Sequence, residues 1–213
     1  MTHAPSSRPG RHWTQSLTLA LLAVAALLAL AWLYARTKSA YPHYGTVYDT
    51  TPAAPALRGT DQQGRPFDLA GLRGQTVAVF FGFTHCPNIC PLTLSYLEKA
   101  REQLPAAQRG NLRVVFVTLD PQRDTLKQIR PYVQYFGQDI TGVRIEEPQL
   151  GRTAKAFGVG YSKADVKSAE DYQINHTAAT YLIDRDGKLR LLWDYTQLPH
   201  VDRVVEDLKQ VMS

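Results

Sequence analysis

The sequence predicts an α/β domain, a central mixed sheet with helices on both faces, set behind a single N-terminal apolar helix. Three observations carry that prediction. Two continuous apolar runs, Thr76–Phe83 and Leu112–Thr118, read as strands buried on both sides, each with a helical pattern after it. Two later runs, Ala178–Ile183 and Leu189–Trp193, are joined by Asp184-Arg185-Asp186-Gly187 and read as a β-hairpin. Ahead of them all, Trp13–Ala35 carries no charge, and Leu17–Leu33 is almost wholly Leu, Ala and Val.

That first stretch would make about 34 Å of helix, against a hydrocarbon core about 30 Å thick. Trp13 at one end, with Trp32 and Tyr34 at the other, suits the aromatic belts of membrane interfaces. A cleavable signal peptide is the alternative, with Ala29-Leu30-Ala31 as a cleavage site. The apolar run exceeds the ~7–15 residues of a signal core, which favours a retained transmembrane anchor over 13–35, with 1–12 as a short tail. Arg8 and Arg11 face Arg36 and Lys38 across the span, so charge does not set the orientation. Paired cysteines do better: they can be oxidised outside the cytoplasm. The expectation is a single-pass protein of the bacterial inner (cytoplasmic) membrane, its C-terminal domain on the periplasmic side.

Residues 36–55, rich in Pro, Thr, Tyr and Ala without periodicity, read as a linker, and 56–213 as the domain. Leu57–Leu69 holds Asp61-Gln62-Gln63-Gly64 between short runs, a hairpin signal. Gly71 and Gly74 mark a turn. Leu92, Leu94, Leu97 and Leu104 recur at helical spacing over Pro91–Leu104, opened by a proline suited to a first turn. Asp124-Thr125 reads as the cap of a helix reaching Phe136, and Pro148–Phe157 as a shorter helix. Tyr161–Asn175 is polar and lacks either period, so a surface loop is expected there. His200–Met212 closes the chain as an amphipathic helix.

Bulk composition excludes one class of partner. The apolar fraction of 44% is ordinary for a packed core. The net charge of +5 arises mostly in the first forty residues; beyond them, 20 basic residues face 19 acidic ones. A nucleic-acid binder concentrates positive charge on its folded domain. This chain does not, and no nucleic-acid partner is expected.

The chemistry centres on Cys86 and Cys90, the only 2 cysteines, in Gly82-Phe83-Thr84-His85-Cys86-Pro87-Asn88-Ile89-Cys90-Pro91. The pair sits between a strand and a helix, where the helix N-terminus favours thiolate over thiol. Two such thiols can form a disulfide, or hold a soft metal with help from a further ligand. Structural zinc wants four protein ligands, and only two sulfurs are on offer. Cu(I) is content with three, which would add one imidazole. Of the 6 histidines, His3 and His12 precede the anchor, His43 lies in the linker, and His200 begins the last helix. His85 adjoins Cys86 and should project away from it. His176 ends the polar stretch before an apolar strand, where it can approach a site at the sheet edge. By spacing alone it stays one candidate among these, and a simple disulfide stays open.

Three blocks resemble the SCO/SenC family of copper-binding assembly factors: Gly82–Pro91, Asp120-Pro121-Gln122-Arg123-Asp124-Thr125, and Asn175-His176-Thr177-Ala178-Ala179-Thr180-Tyr181-Leu182-Ile183-Asp184 with Asp186-Gly187. They occur in the family's order behind one anchor, and the resemblance covers Leu57 to the C-terminus. It implies a thioredoxin-like fold. It implies Cys86, Cys90 and His176 as ligands of a copper ion, Cu(I) or Cu(II). It also implies the copper-bearing subunit of cytochrome c oxidase as partner, served by copper delivery to the binuclear site or by reduction of the acceptor's cysteines. Asn88 departs from the family's usual Asp; losing a carboxylate between the sulfurs should ease thiolate formation.

Other functions have signatures to compare. A membrane-tethered copper metallochaperone leads. A thiol–disulfide oxidoreductase with Cys86 and Cys90 as the redox pair is the alternative, although the spacing is one residue longer than C-x-x-C. A peroxidase of the peroxiredoxin type would need Thr or Ser where Phe83 stands. A purely structural disulfide leaves the His176 block unexplained. Asp120 and Asp124 read as a turn and helix cap, with an acidic contact near the site as the sharper option.

Overall fold

The structure, a computed structural model, describes residues 12–38 and 43–213. Most of the expected N-terminal tail, and residues 39–42 of the linker, lie outside the described residues. The chain divides into two units, one ending at Pro42 and one spanning His43–Ser213. In the first, α1 (His12–Lys38) is a single helix. Its segment Gln15–Tyr34 has a mean hydropathy of 2.4 and, among the described residues, is the one helix long and apolar enough to cross a membrane.

The second unit runs β1 (Thr46–Val47), β2 (Arg58–Asp61), β3 (Pro66–Asp68), β4 (Thr76–Gly82), α2 (Ile89–Gln103), α3 (Ala106–Arg109) and β5 (Leu112–Thr118). It continues with α4 (Leu126–Phe136), β6 (Ile140–Arg144), α5 (Gln149–Ala156), β7 (Tyr161–Ala164) and β8 (Gln173–His176). The last elements are β9 (Ala179–Ile183), β10 (Leu189–Asp194) and α6 (Val201–Val211). Eight strands form one mixed sheet in the order β1-β10-β9-β4-β5-β6-β2-β3, with β4, β5 and β6 parallel and their neighbours antiparallel. The predicted central mixed sheet is observed.

Strand β4 shows why the sheet is covered on both sides. All seven of its residues are buried, and their alternation splits two cores. Ala78 and Phe80 join Leu94, Leu97, Ile129, Val133 and Leu208, beneath α2, α4 and α6. Val77, Val79 and Phe81 join Leu150, Ala154 and Phe157, beneath α5. Burying each of those aromatic side chains contributes about 1.5–3 kcal/mol, which secures the strand that leads into the cysteines.

Two stretches differ from the sequence expectation. Residues 43–55, read as linker, fold onto the sheet: β1 pairs with β10, and Ala53 bridges to Lys188. Asp207, buried on α6, draws them in by accepting hydrogen bonds from the Tyr44 and Gly45 amides and from Trp193 Nε1, each at 2.8 Å. His43 Nδ1 stands 3.5 Å from the same carboxylate. The second difference is 161–175, read as a loop, most of which forms the β7–β8 hairpin, a two-stranded sheet of its own. Its strands are four residues long and exposed on one side, and only Tyr172 and Ile174 of its apolar residues are fully committed to the core. So sparse an apolar pattern carries no visible period.

Candidate metal centre

The two sulfurs and the imidazole come from three different local structures. β4 ends at Gly82, and a turn closed by the Cys86 amide on the Phe83 carbonyl brings the chain to α2. Cys86 lies before the helix and is half-buried; Cys90 is in the first turn and fully buried. Pro91 follows it in that first turn, where a missing N–H costs nothing. The Cys90 amide donates to Cys86 Sγ at 3.4 Å, so the helix N-terminus points at the first sulfur.

His176 ends β8. Its Nε2 lies 3.8 Å from Cys90 Sγ, while Nδ1 lies 3.1 Å from the Thr177 carbonyl oxygen. A carbonyl only accepts, so Nδ1 carries the proton and Nε2 turns its lone pair toward the sulfurs. That second hydrogen bond also orients the ring as metal-bound histidines require. Phe80 and Phe83 meet it edge-on, with centroids 6.2 and 6.0 Å away. Cys86, unlike the buried Cys90, opens onto a groove of about 510 Å³, lined also by Asn88, Asp165, Gln173, Asn175 and His176 among others.

The thiols are electrostatically unequal. Hydrogen bonding with Cys90 holds the Cys86 thiol down at about 4; the backbone amides of Cys90 and Asn88 reinforce it, and partial burial opposes it. Cys90 moves the other way: its hydrogen bond to Cys86, burial and the neighbouring Cys86 charge all push its thiol up. In the metal-free protein Cys86 is therefore the thiolate and Cys90 the thiol. We expect iodoacetamide to modify Cys86 at pH 6 nearly as fast as at pH 8, with Cys90 protected, as read by mass spectrometry of tryptic peptides. An ordinary thiol would slow about tenfold per pH unit below its pKa. That slope would show an unactivated cysteine.

The remaining sequence candidates fall into place as supports. His85 turns from the sulfurs, its Nδ1 3.2 Å from Thr84 Oγ1 and 3.4 Å from Asp124 Oδ1. His200 is the N-cap residue of α6 and packs edge-on against Tyr44. Asp124 is not the cap of α4. Thr125 is, in a capping box with Gln128. The Asp124 carboxylate, 0% exposed, accepts from the Thr84 amide at 2.9 Å and from the hydroxyls of Thr84 and Thr118. It thereby ties the cysteine loop to the end of β5. His85, Asp120 and Asp124 offer atoms within 4.8 Å of one another, but these carboxylates are taken up by Thr84, Thr118, Arg123 and Tyr172.

Gly82 entered the sequence reading only as the first residue of the cysteine block, with no role of its own. A Cβ on Gly82 would stand 2.9 Å from Cys90 Sγ and 2.8 Å from Phe80 Cε1. The signal was a glycine inside an apolar strand, which marks a close approach. Gly82→Ala should cost about 1–3 kcal/mol by overpacking and displace the Cys90 sulfur. Thermal unfolding with the iodoacetamide assay checks this; unchanged stability and an inert Cys90 would mean the site has slack.

The SCO1/SenC family model matches residues 48–213. The chain belongs to the SCO1/SenC family. It is similar to a mitochondrial SCO2 homologue of Mus musculus, 32% identical over 221 residues, covering 95% of this chain and 85% of that one. Other relatives are matched over less of their length, 57% for the SCO2 homologue of Bos taurus. Among solved structures, apo Sco1 of Thermus thermophilus superposes with a TM-score of 0.74 at 32% identity, covering 82% of this chain and 99% of its own. ScoI of Bradyrhizobium japonicum, solved with copper bound, gives 0.64 at 27% identity, covering 75% and 99%. The family's thioredoxin-like fold is therefore that of this chain.

Proposed function

We propose that this SCO1/SenC protein is a membrane-anchored copper metallochaperone that assists assembly of the binuclear copper site of cytochrome c oxidase. Copper is its cargo, held by Cys86, Cys90 and His176. The observation that carries this reading is Nε2 of His176 standing 3.8 Å from the Cys90 sulfur, with Nδ1 engaged by the Thr177 carbonyl. The donor set fits: two soft sulfurs and one imidazole suit Cu(I), and imidazole leaves Cu(II) accessible. Copper bound in the Bradyrhizobium relative supports the same cargo here. The apolar Gln15–Tyr34 helix supports a membrane anchor, and the paired cysteines favour the periplasmic side of the bacterial inner membrane for the domain.

Three protein ligands leave one approach free, so an acceptor thiolate can enter before the carrier lets go. The half-buried Cys86 faces the groove and is the sulfur an acceptor reaches first. Metal affinity is tied to redox state, because oxidation of Cys86 and Cys90 to a disulfide removes both sulfur ligands.

That coupling favours a second reading, thiol–disulfide exchange with an extracytoplasmic partner, supported by the low-pKa, accessible Cys86 beside a buried thiol. The Cys86 thiolate would attack a partner disulfide and release one partner thiolate. Cys90, losing its proton, would then attack the Cys86 sulfur and release the second. Two electrons pass to the partner and a Cys86–Cys90 disulfide remains.

Anaerobic Cu(I) titration of the full chain in detergent, against a competing chelator, tests the first reading. One equivalent should bind to the wild type, with losses in Cys86→Ser, Cys90→Ser and His176→Ala. No uptake, or uptake indifferent to these changes, would leave thiol exchange as the function. Incubating the loaded chain with a copper-subunit fragment of the oxidase then separates metal delivery from reduction.

A further inference from the structure

His176 sits on the least supported piece of the domain. β7 and β8 pair only with each other, and an isolated two-stranded hairpin is marginal in water. The ring is therefore held only as firmly as the hairpin's attachments. At the base, the Thr177 amide bonds to the Gly160 carbonyl and the Gly160 amide to Thr177 Oγ1, at 2.9 and 3.1 Å. The far end is tied by Arg123, with Lys163 Nζ also bonded to Gln122 Oε1 at 2.9 Å.

The Arg123 guanidinium donates from Nη1 to the carbonyls of Tyr172 and Glu170, at 2.8 and 3.1 Å, and from Nε to Asp120. It also lies over the Tyr172 ring, 3.6 Å from the centroid, with Lys163 Nζ 4.0 Å from the same centroid. Tyr172 closes the circuit by donating its hydroxyl to Asp120 at 2.8 Å. Asp120 and Tyr172 are 2% and 1% exposed, so the bond between them is shielded from water and from screening salt. The residue after Arg123 is Asp124, which ties down Thr84 beside the cysteines. One short segment, 120–124, thus grips both pieces of chain that carry the proposed ligands.

We infer that the Asp120–Arg123–Tyr172 clasp sets the position of His176 against the sulfurs, making Arg123 and Tyr172 positioning residues for copper capture. The inference rests on the copper-carrier reading for its consequence, though not for its geometry. Arg123→Met keeps the side-chain stem and removes all the fork's hydrogen bonds. Tyr172→Phe keeps the ring and removes only the hydroxyl, the gentler variant should the first fold poorly.

The test uses the full chain in detergent. Hydrogen–deuterium exchange on the metal-free protein should show amides of 161–176 exchanging about tenfold faster in Arg123→Met, with β4 and β5 unchanged. Tyr172→Phe should show a smaller change in the same place. Cu(I) affinity should fall about tenfold in Arg123→Met, the scale of losing a group that orients a ligand. In a His176→Ala background the same substitution should produce no further loss, because the ring it positions is gone. Arg123→Lys keeps the charge over Tyr172 but lacks the fork, and should recover part of the affinity. Unchanged hairpin exchange, or an affinity loss that is equal with and without His176, would overturn the clasp. A wild type that takes up no copper would instead overturn the parent reading, and the exchange result would still decide whether the clasp holds the hairpin.

Discussion

Replacing His176 by alanine is expected to lower Cu(I) affinity by at least about 100-fold while leaving the fold intact. A group that merely orients a ligand is worth 10–100-fold, and a ligand itself should exceed that. Two thiolates would remain and could still hold Cu(I) between them, so residual binding is expected rather than none. The ring is half-buried, meets Phe80 and Phe83 edge-on, and makes one short hydrogen bond, to the Thr177 carbonyl. Its loss should therefore cost about 1 kcal/mol of stability. Competition titration and thermal unfolding on the same preparation separate the two effects. Affinity equal to the wild type would remove His176 from the centre, and the dithiol would then be explained by electron exchange.

The second large effect is expected at Asp124, which touches neither sulfur in a hydrogen bond. Asp124→Ala would strip the Thr84 amide and the Thr84 and Thr118 hydroxyls of their acceptor at a fully buried position. Leaving a buried donor without its acceptor costs roughly 1–3 kcal/mol for each one stranded. Asp124→Asn keeps the shape and one acceptor oxygen, so its loss should be smaller. The consequence should reach the site, because Thr84 lies two residues before Cys86. Freed from Asp124, the loop should hold Cys86 less well against the amides of Asn88 and Cys90, and alkylation at pH 6 should slow. Denaturant unfolding with the alkylation rate checks both, and a stable variant with a fully reactive Cys86 would show that the loop holds itself.

Much of the fold could be read along the chain because its signals are local. Thr76–Phe83 and Leu112–Thr118 are so densely apolar that burial on both faces was the natural reading, and both are central strands. Asp61–Gly64 and Asp184–Gly187 are turn sequences, with Gly64 and Gly187 at φ 84° and 75°. Where apolar residues are few, the reading failed. β1 is two residues long, and its attachment depends on Asp207 some 160 positions away. The β7–β8 hairpin is stabilised by Arg123, again a partner far along the chain. Neither partner could be inferred from spacing.

The sequence by itself determined the family, the central strands, the apolar N-terminal helix and the pairing of Cys86 with Cys90 at a helix entrance. Each of these is a matter of residue type and short separation, which the chain displays directly. The family resemblance named His176, but only tertiary structure showed how closely its ring approaches Cys90, which thiol is accessible, and why Gly82, Arg123 and Asp124 matter. Those answers depend on packing between segments 40 to 90 positions apart. Burial and hydrogen-bond partnership at such separations are properties of the folded chain.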